Sequence, residues 1–175
     1  MSVLDEQGNE VPTGNIGELC VRGPLVMNGY WHRPEETALA LRGGWLHTSD
    51  LARRDSDGFL YLVDRAKDMI ITGGFNVYSR EVEDALLTHP AVAQVAVIGV
   101  PDEKWGEAVT AFVVLRSGQQ VEVEALQTYV RTLKGPIHTP KQLSVVETLP
   151  LTGLGKPDKK LLRARYWEGR DRAVN

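Results

Sequence analysis

Apolar and polar positions come in short runs over the first third of the chain. Ser2–Leu4 and Glu18–Arg22 read as strands, with Gln7-Gly8-Asn9 as a turn between them. Pro34 opens a short helix over 35–41, with Glu35 and Glu36 in the first turn, where the helix dipole favours acids, and Gly43-Gly44 stops it. Asp55-Ser56-Asp57-Gly58 is a turn, and Phe59–Val63 alternates with the period of a strand. After about Lys67 the pattern changes. Met69–Ile71 is a brief apolar strand broken by Gly73-Gly74. Ser79 is placed as the cap of a helix reaching Thr88, whose apolar face is Val82, Ala85 and Leu86. Val92–Val100 alternates and then turns wholly apolar, the pattern of a central strand, and Ala108–Leu115 is another strand. Leu126, Val130 and Leu133 mark a second amphipathic helix. Gln142–Glu147 is a further strand, and a glycine-rich loop leads to a last helix from about Pro157. Strands mixed with packed helices predict an α+β fold. A strand-rich piece over 1–66 precedes a small α+β domain over 67–175, joined through the charged stretch Asp64-Arg65-Ala66-Lys67-Asp68.

Composition narrows the classes. The chain has 175 residues, 42% apolar and 25% charged, enough to pack a core and far from the signature of disorder. A formal charge of -3 gives no footprint for nucleic acid. No apolar run approaches the ~18 residues of a membrane helix, and the polar, acidic stretch Met1–Glu10 is unlike a secretory signal. Cys20 is the single cysteine, which excludes an internal disulfide and fits a cytoplasmic setting. His32, His47, His89 and His138 lack ligand spacing, so no metal site is expected and each reads as a loop or surface histidine.

Four stretches could carry chemistry. Leu151-Thr152-Gly153-Leu154-Gly155-Lys156 combines glycines that let a backbone approach a ligand with a lysine that offers a point charge to phosphate or carboxylate. It is not a phosphate-binding P-loop, because Pro157 stands where that pattern needs Ser or Thr. Trp45-Leu46-His47-Thr48-Ser49-Asp50 places an aspartate after a strand, where a carboxylate could accept hydrogen bonds from ribose hydroxyls. Asp64–Asp68 followed by Gly73-Gly74 reads as a polar connector between rotating pieces, with a slender backbone surface beyond it. Pro101–Glu107 holds Trp105 in a polar loop, where an indole gains by stacking. Residues 156–175 carry seven bases against three acids, which either attract a polyanion or form a solvated helix face.

Taken together, in order and at their spacing, these stretches resemble the C-terminal part of the adenylate-forming superfamily of acyl-CoA synthetases, peptide-synthetase adenylation domains and beetle luciferases. The resemblance is carried by Gly17-Glu18-Leu19-Cys20-Val21-Arg22-Gly23-Pro24, Gly29-Tyr30-Trp31-His32-Arg33-Pro34-Glu35-Glu36-Thr37, Trp45–Asp50, Asp64–Asp68 with Gly73-Gly74-Phe75-Asn76-Val77, and Thr152–Lys156. Its spelling is most similar to fatty-acid or aryl-acid CoA ligases. The resemblance implies two half-reactions. A carboxylic acid and ATP, with Mg2+ held mainly by residues upstream of this stretch, give an acyl-adenylate. CoA then takes the acyl group and AMP leaves. It implies Asp50 on the ribose hydroxyls, Arg65 beside the nucleotide, Lys67 as hinge, Gly73 and Gly74 along the CoA path, and Lys156 as the catalytic lysine of adenylation. Trp105 is expected exposed or half exposed near the CoA path. Lys156 is expected on a mobile, exposed loop without a neutralising partner.

Ser49 stands where the family usually has glycine, Ile71 where some members have lysine, and Pro157 where an aliphatic residue is common. Gly135–Lys141 replaces a family motif before the last strand. The family's phosphate loop and acid pocket lie upstream of anything in this sequence. The chain is therefore expected to be a C-terminal fragment of a ligase, inactive alone. The alternatives are an adenylation domain that loads a carrier protein, and a non-catalytic lid or interaction module.

Overall fold

A computed structural model describes residues 1–170 and 172. The chain divides into two units, Met1–Lys67 and Asp68–Asn175.

Val3, Leu4, Cys20 and Ala52 are the buried apolar positions of the first unit. They lie on an antiparallel sheet of four strands in sequence order: β1 (Ser2–Leu4), β2 (Ile16–Val21), β3 (Leu46–Arg54) and β4 (Leu60–Arg65). Helix α1 (Pro34–Ala40) connects β2 to β3, with Pro34 at its start and Glu35 and Glu36 in the first turn. The Asp55 carboxylate accepts from the backbone N–H of Asp57 and Phe59 and closes the β3–β4 turn. One expectation changes here: Asp50 lies inside β3, not after a strand. Within the charged connector Asp64 and Arg65 finish β4, and Ala66–Asp68 form a 3-10 turn with Asp68 buried.

The second unit begins with the hairpin of β5 (Ile70–Thr72) and β6 (Phe75–Val77). Its two-residue turn is Gly73-Gly74, with φ of 58° and 82°. Both angles lie in the left-handed region that such a turn demands, which is why glycine suits both places. Helices α2 (Ser79–Leu87) and α3 (Val123–Lys134), strands β7 (Val92–Asp102), β8 (Gly106–Leu115) and β9 (Gln142–Val145), and helix α4 (Lys159–Ala164) complete it. The sheet runs β6-β5-β8-β7, and β9 joins β8 in parallel. Strand β7, expected to be central, pairs with β8 alone and forms an edge of the sheet; its apolar run follows from having both sheet faces covered. Val95 and Val97 pack with Val82, Leu86, Leu126 and Val130 from α2 and α3, whereas Ala96, Ile98 and Val100 pack with Leu149 and Leu162. The α+β expectation holds.

Two local readings are corrected. Ser79 is the first residue of α2, not its cap; Tyr78 precedes it without a side-chain cap, and the buried Ser79 hydroxyl accepts from Lys159 Nζ at 2.8 Å. Helix α4 begins at Lys159, capped by the Asp158 carboxylate, which accepts from Leu161 N at 3.0 Å. In the basic C-terminal stretch Lys156, Lys160, Arg165 and Arg170 are exposed, as a solvated face requires, and the other three bases are not. Lys159 pairs with Glu83 at 2.7 Å, Arg163 with Asp68 at 2.5 Å and Arg172 with Glu107 at 2.8 Å, all largely buried.

Candidate functional site

The β2–β3 ladder is interrupted where the site begins. Glu18 faces Leu51 and Cys20 faces His47, so Thr48, Ser49 and Asp50 oppose the single residue Leu19. The surplus residues bulge outward. Ser49 takes φ of 61°, the left-handed conformation that glycine adopts at least cost, which accounts physically for the usual glycine there. The bulge is held by side chains: Ser49 N donates to Glu18 Oε1 at 2.9 Å, Thr48 Oγ1 donates to Leu19 O at 2.7 Å, and Asp50 N donates to Thr48 Oγ1 at 3.1 Å. Asp50 faces Arg65 across β3–β4, and Arg65 Nε meets Asp50 Oδ1 at 2.6 Å. Asp50 Oδ2 makes no hydrogen bond among the described residues. The two residues read from sequence as nucleotide contacts thus lie together at the surface, the guanidinium orienting the carboxylate.

Beneath them lies a group that the sequence reading missed. His47, read as a surface residue, has a side chain only 9% exposed. Its Nδ1 sits 2.6 Å from Glu18 Oε2 and 3.4 Å from Cys20 Sγ. Arg42 Nη2 also reaches Glu18 Oε2 at 3.1 Å. Glu18, Cys20 and His47 have the chemistry of metal ligands and lie close together. Yet both Glu18 oxygens already accept hydrogen bonds, and a guanidinium beside them opposes a cation. Burial, with the Glu18 charge second, pushes the Cys20 thiol up to about 11. The trio is a hydrogen-bonded support for the bulge, and it does not fit Mg2+, which takes oxygen ligands. The raised thiol has a direct outcome. Alkylation of Cys20 in the folded chain should stay slow at pH 8 and accelerate only toward pH 11, whereas the unfolded chain should react near the ordinary thiol value. Rapid labelling of folded protein at pH 8, followed by mass spectrometry, would contradict it.

Lys156 sits on a tight loop. Leu151 bridges Pro157, Thr152 N donates to Lys156 O at 2.7 Å, Gly155 N donates to Thr152 O at 2.9 Å, and Asp158 N donates to Pro150 O at 2.7 Å. Gly155 has φ of 75°, the angle that closes the turn. The Lys156 side chain is exposed, and no acid among the described residues pairs with its ammonium. The loop is closed by its own backbone hydrogen bonds. Lys67, the expected hinge, is exposed at the end of the first unit.

Trp105 lies in the β7–β8 turn, where Asp102 Oδ1 accepts from the N–H of Lys104 and of Trp105 at 2.9 Å each. Gly73 N donates to Trp105 O at 2.8 Å. The indole rests against Gly73: a Cβ there would fall 2.7 Å from Trp105 Cε3. The ring is 39% exposed, with Lys104 Nζ 4.8 Å and Lys141 Nζ 5.4 Å from its centroid. It borders an open cleft of about 330 Å³ that Trp167 and Arg170 also line. Gly73 and Trp105 are therefore brought together across two turns, and Gly74 shares the turn of Gly73. Gly73→Ala should displace the indole and shift tryptophan emission to the red, with little change for Gly74→Ala, since nothing lies within 4 Å of a Cβ at Gly74. Equal spectra for the two variants would refute the contact.

Residues 81–156 match the AMP-binding enzyme C-terminal domain, and residues 1–31 match the AMP-binding enzyme family. Over 181 aligned residues the chain is 60% identical to the medium/long-chain-fatty-acid–CoA ligase FadD8 of Mycobacterium tuberculosis, an alignment covering 99% of this chain and 32% of that one. The chain is homologous to the acid–CoA ligases. Among solved structures, this ligase homologue superposes with a TM-score of 0.88 on the amide bond synthetase McbA of Marinactinospora thermotolerans, at 45% identity over 94% of this chain and 34% of that one. It superposes with a TM-score of 0.89 on ATP-bound MatB of Rhodopseudomonas palustris, at 39% identity over 94% and 33%. The family uses ATP. The ligase homologue spans about a third of the length of these relatives. None of its described helices is long and apolar enough to cross a membrane.

Proposed function

We propose that this chain forms the C-terminal part of an ATP-dependent acid–CoA ligase, residues 1–66 ending the large adenylation domain and 67–175 forming its mobile lid. The observation that carries this is Lys156, an exposed ammonium with no acidic partner among the described residues, on a hydrogen-bonded turn in a chain homologous to acid–CoA ligases. In the first half-reaction a carboxylate oxygen bonds to the α-phosphorus of ATP and pyrophosphate leaves. Lys156 neutralises charge that develops between the two anions. Asp50, steadied by Arg65, accepts hydrogen bonds from the ribose hydroxyls. In the second, the lid turns about Lys67, the CoA sulfur bonds to the acyl carbon, AMP leaves and the thiol proton is released. Gly73 and Gly74 give the pantetheine arm a surface without side chains, and Trp105 stacks on the CoA adenine. Mg2+ would be held mainly by residues of the ligase upstream of this stretch, since the Glu18–Cys20–His47 trio among the described residues does not fit it.

The test is a chimera in which this chain replaces the matching 32% of the mycobacterial ligase. AMP release that requires fatty acid, ATP and CoA is the expected result. A folded chimera that makes no acyl-adenylate would overturn the proposal. The likeness to an amide bond synthetase favours a second reading, in which an amine takes the acyl group. That reading predicts adenylate consumption by amine with CoA omitted.

A further inference from the structure

We propose that Arg163 is a positioning residue for Lys156, acting through Asp68. The proposal rests on the reading of Lys156 as the adenylation lysine and Lys67 as the hinge. Asp68 is the first residue after Lys67 and is buried, and its carboxylate meets Arg163 Nη1 at 2.5 Å, with each side chain 12% exposed. Arg163 belongs to α4. The cap of that helix, Asp158, donates its N–H to Pro150 O and so closes the base of the turn that carries Lys156. Leu162, next to Arg163, packs in one core cluster with Leu149, on the other side of the same turn. Lys159 adds a second anchor, to Glu83 and Ser79 on α2.

The residue that follows the hinge is thus tied by one ion pair to a six-residue helix that roots the lysine turn. Slack at any of these joints would let the second unit rotate without carrying Lys156 to a fixed place. A buried ion pair adds little net stability over a packed apolar pair, but it fixes direction, which an apolar contact does not. Misplacing a charged group by about 1 Å can cost on the order of 10²-fold in rate. The Asp68–Arg163 pair links sequence positions 95 apart, and no periodicity marks it.

The experiment uses the active chimera and measures adenylate formation separately from transfer to CoA. Asp68→Asn keeps the shape and one hydrogen bond while removing the charge. It should lower kcat for adenylation by roughly 10-fold or more with KM for ATP within about twofold. Arg163→Met should do the same, and Arg163→Lys should restore part of the rate. In a Lys156→Ala background, Asp68→Asn should have no further effect, because it acts only through that lysine. Losses that multiply across the two sites, or an unchanged rate in a variant that merely melts earlier, would overturn the proposal. If Lys156→Ala itself leaves adenylation intact, the reading of Lys156 fails first, and the clamp with it.

Discussion

Lys156→Ala in the chimera is expected to slow adenylate formation by roughly 10²–10³, the scale of losing one preorganised charge contact to a transition state. Transfer started from synthetic acyl-adenylate and CoA should be far less affected, since the proposed mechanism has the lid turned by then and the lysine facing solvent. The geometry supports this asymmetry. A lysine locked in a buried pair would forfeit ~3–5 kcal/mol on leaving it, whereas no acid among the described residues holds Lys156. Rapid-quench measurement of the two half-reactions decides the matter. Equal losses in both would make the residue structural.

Gly99→Ala is expected to be the most destabilising single methyl in the second unit. Gly99 lies buried in β7, and a Cβ there would fall 2.1 Å from Glu107 Oε2 and 3.1 Å from Ile70 Cγ2. Glu107 cannot yield cheaply. Its carboxylate accepts from Arg172 Nε at 2.8 Å and from Arg172 Nη2 at 3.0 Å, and Arg172 also donates to Met69 O. Displacing it leaves a buried charge unpaired, at a cost of about 3–5 kcal/mol. Urea unfolding followed by tryptophan fluorescence should show a lower midpoint with an unchanged slope. A loss below about 1 kcal/mol would mean that Glu107 moves aside freely. Adding Glu107→Ala should then relieve nothing, whereas the clash predicts that the double variant falls well short of the summed losses.

The strands and helices with one buried face were legible, because burial imposes a period on the sequence. Val92–Val100 was legible as a strand because residues on both faces had to be apolar, but not its place in the sheet: it pairs with β8 alone and forms an edge, while β8 is the central strand. Ser79 was misread for a related reason. A serine before an apolar period is usually a cap, but here Lys159, 80 positions away, claims its hydroxyl. The same distance hid the ion pairs of the C-terminal stretch, because a run of bases looks alike whether its partners are water or buried acids. Asp50 stands inside β3 and not after a strand. The bulge that turns it outward depends on Glu18 in a neighbouring strand, and neither residue shows that by itself. His47 looked isolated because cross-strand proximity to Cys20 exists only once the register is known. Asp50 with Arg65, and Gly73 with Trp105, are pairs that the structure brings together, and spacing and resemblance singled them out where no single residue would have.

Strand β8 has three neighbours, β7 along its length and both β5 and β9 on other stretches of its backbone. This arrangement sets an order of assembly during synthesis. The β7–β8 hairpin closes locally, but its partner β9 arrives only after α3 has been made, because a parallel neighbour needs a crossover. Until Gln142–Val145 emerges from the ribosome, Thr110–Val113 presents a bare, apolar edge capable of pairing with another nascent chain. Protein made with a slow or interrupted passage through 116–141 should therefore be lost to aggregation more than to misfolded monomer.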